Sequence, residues 1–470
     1  CFYEKTNSLE AFNNVKMVQG DTLFLYGDYL FYDGNSQLAK VRSNVRMENR
    51  TITLTTDSLN YDRVANLGYF FDGGTLMDGE NVLTADWGKY SPATKLSVFN
   101  YEVKLVNANF VLTSDTLRYH TDTKIANIVG PSDIDSEENH IYSELGFYDT
   151  YHGQAQLLDR SVLTNGAKRM TGDSLFYDRN RGFGEAFGAV ELLDTAGRNM
   201  LTGEYCHYNQ LTGYAFATDK AMAVDFSQGD SLFIHADTLQ LFAFHMGTDS
   251  VSREARAFHK VRIYRADVQG VCDSLVFASK DSCLTMYRDP ILWNDNQQLL
   301  GEEILVYMND STIDRAHIRN QALSVERIDS ACYNQVAGKE IRFYFKEGQM
   351  DMTRVIGNVM LNYYPTDEDS LMIGMNHLES TDLKLFMKEG KIDKIWAPAS
   401  TGKLTPVPLI PPKELYLENF VWFDYVRPKD KDDIFNWRSK KAESQLKQSV
   451  QRRAPKQKLT DINKKQIKKE

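Results

Sequence analysis

The stretch GDSLFYD, Gly172–Asp178, can be read in two ways, and the choice decides the fold. Alone, Gly-Asp-Ser-Leu matches a serine-nucleophile signature of esterases and lipases. DRAH, Asp314–His317, even offers the Asp-x-x-His that would complete a triad with Ser174. Among its neighbours, however, the stretch is one copy of something repeated. GDYLFYD places an acid at Asp28, TDSLNYD at Asp57, ADWGKYS at Asp86, SDTLRYH at Asp115, SELGFYD at Glu144 and GDSLFYD at Asp173. The interval is 29 residues five times running. Looser copies follow at Glu204, Asp237, Asp273 and Glu302, and near Glu340 and His377.

A fixed period held this long means one supersecondary unit stacked many times. The position of Ser174 is filled in other copies by Tyr29, Ser58, Trp87, Thr116 and Tyr205. A nucleophile needs one unique, strained turn with a base beside it. A position that also takes Trp or Tyr is structural. A second GDSL, Gly229–Leu232, falls in a different phase of the repeat. The esterase reading is therefore set aside, and the Asp314–His317 match is chance.

Parity shows what one unit builds. Ile52 and Leu54 share one face, while Leu59 and Tyr61 share a face of opposite parity. The same slip separates Leu23 and Leu25 from Leu30 and Tyr32, and Phe110 and Leu112 from Leu117 and Tyr119. Alternation of period two marks strands. A slip at one fixed place marks a bulge or corner where a long strand bends from one sheet into another. The acidic residue sits at that corner, where its short side chain is expected to accept backbone N–H groups. A turn such as DRVAN (Asp62–Asn66) leads to a second bent strand such as LAKVRSNVRM (Leu38–Met47), in which Val41, Val45 and Met47 alternate with Lys40, Arg42 and Arg46. DGEN (Asp78–Asn81) is the other kind of turn. The expected fold is all-β: an elongated open jellyroll of two facing antiparallel sheets, built from about twelve repeats and some two dozen strands. Its lining is apolar and its exterior charged.

Composition agrees. The chain has 470 residues, 42% hydrophobic and 12% aromatic, a mix that suits strands. No apolar run reaches the roughly 18 residues that a membrane helix needs. The start at Cys1, without Met or leader, reads as processed or truncated. From Arg427 to Glu470 the net charge is +9, so the rest carries −19 of the total −10. An acidic body with a basic end does not suit nucleic acid, whose binders line a folded surface with cations. The five cysteines, Cys1, Cys206, Cys272, Cys283 and Cys332, show no C-x-x-C spacing. The nine histidines form no H-E-x-x-H. A calcium-binding β-roll would need a glycine-rich nonapeptide pattern that is lacking, and in a meander the recurring acids lie two strands apart. No metal or cofactor is expected.

The repeated D-[ST]-L-x-Y unit, followed by an apolar strand with an "NV" or "AV" step, resembles the OstA-like family. Instances are EAFNNVKMVQGDTLFLYGDYLFYD (Glu10–Asp33), EAFGAVELLDTAGRNMLTGEYCHYN (Glu185–Asn209) and VIGNVMLNYYPTDEDSLMIGMNHLESTDLKLF (Val355–Phe386). The family includes the periplasmic lipopolysaccharide-transport protein LptA and the soluble N-terminal domain of the translocon LptD. The resemblance covers most of residues 2–396. It implies an open β-jellyroll with lipid acyl chains held between the sheets, a periplasmic place with outer-membrane association left open, and lipopolysaccharide as ligand. It also implies other jellyroll components of a transport bridge as partners, joined head to tail by edge strands, copies of this chain included. Such a protein is no enzyme. This chain is longer than a single-domain shuttle, and no membrane barrel is expected within it.

The residues expected to face inward and line the groove are Leu30, Tyr32, Val41, Val45, Leu54, Leu59, Tyr61, Phe70, Leu112, Leu117, Tyr119 and Ile128. Any one of them serves ordinary core packing equally well. A structural or adhesive β-solenoid of the cell envelope is the alternative, and a polysaccharide-acting β-helix enzyme a third. A lining that stays open between the sheets favours transport, a filled interior favours a scaffold, and two facing carboxylates in a cleft favour the enzyme.

The ends read separately. CFYEK (Cys1–Lys5) superposes on LFYDG (Leu30–Gly34) at an offset of 29, which places Cys1 mid-strand as a core thiol rather than a lipoprotein cysteine. The repeat array is expected over 1–396, as one body or as two consecutive OstA-like units. Residues 397–428 are proline-rich, then aromatic, and are expected to cap the last sheet edge. Residues 429–470 form a basic tail, with helix-forming composition from Arg438 to Arg453 and disorder beyond.

Overall fold

The computed structural model describes residues 1–440 apart from 228, 249, 310–311, 368–370 and 389–390. These residues contain 35 strands, paired antiparallel, and four short 3-10 turns. They divide into two units. The first comprises Cys1–Ala266, Asp273–Leu284 and Lys429–Phe435, and the second is built on Asp267–Cys272 and Thr285–Pro428.

In the first unit, strands Ser8–Gln19, Leu23–Asp33, Leu38–Asn49 and Ile52–Asp62 pair in sequence order. Each breaks register once. Between Arg42 and Val45, Ser43 and Asn44 together face the single residue Asp57. Ser43 and Asn44 take φ of +63° and +51°, the left-handed region that marks a bulge. The same two-against-one step places Asn13–Asn14 against Asp28, Tyr101–Glu102 against Asp115, and Gly188–Ala189 against Glu204. The parity pattern follows directly. The strand that inserts two residues keeps its parity, so Val41, Val45 and Met47 are all buried. The strand that inserts one flips, so burial passes from Leu54 to Leu59.

Three expectations are revised. Where the corner interrupts pairing altogether, one long strand becomes two short ones, as with Lys168–Thr171 and Ser174–Asp178. That is why there are 35 strands and not two dozen. The corner acids accept mainly from side chains on the neighbouring bulge, not from backbone N–H groups. Asn44 Nδ2 donates to Asp28 Oδ2 at 2.6 Å, Lys220 Nζ to Glu204 Oε1 at 2.9 Å and Asn320 Nδ2 to Glu302 Oε2 at 3.1 Å. In the last two copies the corner falls at Lys339 and Thr381 rather than Glu340 and His377.

The exterior is not uniformly charged. Phe187, Tyr205, His207, Phe216, Tyr214 and Phe242 form a chain of ring contacts, His207 stacking on Phe216 at 5.2 Å and Tyr214 meeting Phe242 at 5.0 Å. Cys1 is exposed, not a core thiol. Phe2–Tyr3 does pair with Ser8–Leu9 as the register offset requires, but only across those two residues.

In the second unit the strands lengthen to 14 or 15 residues, as in Ile313–Arg327, Tyr333–Lys346 and Gln349–Tyr363. The ladder does not stop at 396: Thr401–Thr405 pairs with Met375–Glu379. The aromatic stretch after it does not cover a sheet edge. It lies on the inner face of the strands, with Leu417, Phe423 and Val426 buried against Val271, Trp293, Leu300 and Val325. Residues 429–440 carry one 3-10 turn, Asp433–Phe435. The rest of the expected helix, 441–453, and the tail beyond lie outside the described residues.

Candidate functional site

Of the twelve residues expected to line the groove of the first unit, most belong to its buried core. Eleven are buried: Leu30, Val41, Val45, Leu54, Leu59, Tyr61, Phe70, Leu112, Leu117, Tyr119 and Ile128. Tyr32 is half-buried, because Arg63 lies over its ring at 5.6 Å and donates from Nη1 to its hydroxyl at 3.0 Å. Register joins neighbours across the stack: Leu30 pairs with Val41, Val41 with Leu59, and Leu117 with Ile128. The packing is close. Phe70 meets Phe99 at 6.4 Å, and a Cβ added at Gly88 would lie 2.6 Å from the Phe70 ring. Between Leu163, Met170, Tyr177 and Leu192 a void of only about 20 Å³ remains. The seam is filled by its own side chains.

One side of the seam is the row of corners. The other side is a pair of lips formed by the hairpin tips of the two sheets, joined by polar side chains. Tyr90 OH donates to Asn49 Oδ1 at 3.2 Å, and Lys95 Nζ donates to the same oxygen at 3.0 Å. Tyr119 OH donates to Asp78 Oδ2 at 2.8 Å, Lys124 Nζ to Asp78 Oδ1 at 2.5 Å, and Asn81 Nδ2 to Tyr119 OH at 2.9 Å. Asn139 Nδ2 donates to Tyr177 OH at 2.8 Å. Lys168 bonds the hydroxyl of Tyr208. The tyrosine comes from a tip of one sheet and its partner from a tip of the other. Burial pushes the phenols of Tyr61, Tyr90 and Tyr177 up to about 12 and raises that of Tyr119 as well. These hydroxyls therefore stay neutral at any physiological pH, and those of Tyr90 and Tyr119 donate across the lips.

Parity found buried residues of the seam, but not the lips. Asn49, Asp78, Asn81, Lys95, Lys124 and Asn139 are polar positions at strand ends, and their partners lie roughly forty residues away in sequence. A signal was present nonetheless. Gln37, Asn66, Lys95, Lys124, Gly153 and Gly182 recur every 29 residues and all have φ between +51° and +69°. They are the left-handed positions of one hairpin turn, and two of them carry a cation to the lip.

The residues of the rejected triad are engaged elsewhere. Ser174 opens a strand paired on both sides, to Leu158 and Phe187. His317 Nε2 lies 3.1 Å from Glu340 Oε2. Among the described residues no group of three or more His, Cys, Asp or Glu is placed to hold a metal ion, and no helix is long and apolar enough to cross a membrane.

Residues 1–115 match the family model described as OstA-like protein, and that part of the chain is OstA-like. The match ends at the corner residue Asp115, while the same two-against-one corner continues at Glu204. No curated protein matches the chain.

Proposed function

We propose that the first unit binds lipopolysaccharide by its acyl chains and passes it along the stack, as a non-enzymatic periplasmic component that meets other jellyrolls edge to edge. The observation that carries this reading is the kind of closure the seam has. Its apolar lining runs without interruption from repeat to repeat, while its lips are held by side-chain hydrogen bonds and not by a strand ladder. Such a closure opens without unpairing a sheet. An entering chain gains about 0.8 kcal/mol per buried CH₂, against lip bonds worth about 1 kcal/mol net each. Lys95 and Lys124 at the lip then stand where lipid phosphates arrive, Lys124 exchanging its Asp78 carboxylate for one.

The filled seam favours the alternative, a scaffold whose interior is only a core. Photo-crosslinkers placed in cells at Tyr61 and Tyr119, inside the seam, and at Arg46, outside it, separate the two. Transport predicts lipopolysaccharide adducts from Tyr61 and Tyr119 and none from Arg46. Adducts from none of the three, in a protein of normal abundance, would leave the scaffold.

A further inference from the structure

Among the described residues of the second unit, buried amides stand where the first unit has its lip tyrosines. Register aligns Gln269, Trp293, Gln298, Val325, Gln335 and Asn362 in one row across successive strands. All four amides in this row are buried, Gln298 completely. Residues 414–427 run along the row. Gln298 Nε2 donates to the Val421 carbonyl at 2.9 Å, and its Oε1 accepts from the Phe423 N–H at 2.7 Å. Gln335 repeats this two strands along: Nε2 donates to the Leu415 carbonyl at 2.8 Å and Oε1 accepts from the Leu417 N–H at 2.8 Å. Asn362 Nδ2 donates to the Glu414 carbonyl at 3.2 Å, and Arg427 Nε donates to Gln269 Oε1 at 2.6 Å. Beneath these clamps Leu417, Phe423 and Val426 sit on an apolar bed of Val271, Ile291, Leu300, Leu323 and Val325.

We infer that the seam of the second unit is a second acyl-chain site, covered by the chain's own residues 414–427. This rests on the lipid reading of the first unit. The strap is tied by side-chain amides and its own 3-10 turns, so it lifts without breaking a sheet. Its three apolar anchors stand where an acyl chain would lie. Lifting it takes the strap partners from Gln298 Nε2 and Gln335 Oε1, leaving Gln298 held only by Trp293 Nε1 at 3.2 Å and Gln335 only by the Tyr333 carbonyl at 3.2 Å, which keeps the cover closed at rest. The fitting ligand is therefore an amphiphile whose acyl chains are joined through amide groups at their polar end, the amide carbonyl accepting from Gln298 Nε2 and the amide N–H donating to Gln335 Oε1.

The test uses the full chain with lipopolysaccharide micelles as the probe. In the unaltered protein, hydrogen exchange is followed at the Leu417 and Phe423 amides. Separately, photo-crosslinkers at Leu323 and at Tyr119 are compared in the parent and in a Gln298→Ala/Gln335→Ala variant. The expected result is exchange at both amides speeding several-fold on adding lipopolysaccharide, and Leu323 adducts rising several-fold in the variant. Adducts at Tyr119 with silent amides and no Leu323 adducts in either protein would overturn the strap inference alone. Leu323 adducts of equal yield in parent and variant would also overturn it, since the strap would then exclude nothing. No adducts at Tyr119 or Leu323 would overturn both readings.

Discussion

Tyr119 belongs to both sides of the seam. Its ring is fully buried among the lining residues, and its hydroxyl joins the lips through Asp78 and Asn81. Tyr119→Phe keeps the ring and removes the hydroxyl from the join. Asp78, almost fully buried, then keeps only Lys124. The expected cost is about 1–3 kcal/mol, read as a lower urea midpoint, and Tyr90→Phe at the neighbouring lip should cost less because the group it deprives of a donor is the neutral Asn49 amide and not a buried carboxylate. His235 gives a pH-dependent case. Its Nδ1–H donates to the Ala221 carbonyl at 2.6 Å, and burial, aided by Arg262, pushes its pKa down from 6.5 to about 4. The folded state thus binds this proton less readily than the unfolded chain. The contribution is whole above about pH 6.5 and is lost as pH falls towards 4, up to about 3 kcal/mol. His235→Gln should flatten the fall in urea midpoint between pH 7 and pH 4.5 relative to the parent, and an unchanged slope would show that His235 does not drive it. At this scale the sequence was legible wherever period-two alternation applied. It gave Leu54, Leu59 and Leu117 but not Asp78 or Asn81, because a contact between tips of opposite sheets leaves no local periodicity. Tyr32 fits the pattern yet is only half-buried, since Arg63 rather than a lining residue meets its ring.

At the scale of the element, the corner decides. Its left-handed pair falls on residues with differing tolerance for positive φ: Asn13–Asn14, Ser43–Asn44 and Gly188–Ala189, but also Tyr101–Glu102. Asn and Gly adopt this region at little cost, and β-branched residues do so poorly. Asn44→Val should therefore destabilise by about 1–2 kcal/mol, whereas Asn44→Gly should stay within about 0.5 kcal/mol; equal effects in thermal unfolding would show that the loss comes from the Asp28 hydrogen bond and not from the backbone. The parity slip revealed the corner because one residue facing two changes which side chains point inward. It could not reveal whether pairing survives the corner, which depends on bulge geometry. Lys339 and Thr381 were missed for a simple reason: the acid that marks other corners is absent there, and neighbouring Glu340 and His377 drew the assignment.

At the scale of the whole molecule, the sequence announces the two units by a drift in its period. The interval between corner acids holds at 29 from Asp28 to Asp173, then widens to 31, 33 and 36 on reaching Glu204, Asp237 and Asp273. The units part close to that last position. Within the first unit, contacts run between neighbours, so stability should behave as a sum of repeat terms and interface terms. Leu117→Ala tests this. Leu117 is fully buried and pairs with Phe99 on one side and Ile128 on the other, so removal should cost about 2–5 kcal/mol. In a linear stack the loss is local. Hydrogen-exchange protection should drop most in Phe110–His120 and its partners Leu96–Asn107 and Ile125–Asp135, and fade within about two repeats on either side. Strands of the second unit, such as Tyr333–Lys346, should keep their protection. A uniform drop across both units would mean that the chain opens as one cooperative body, and a seam that opens only as a whole has no way to pass a lipid from one repeat to the next.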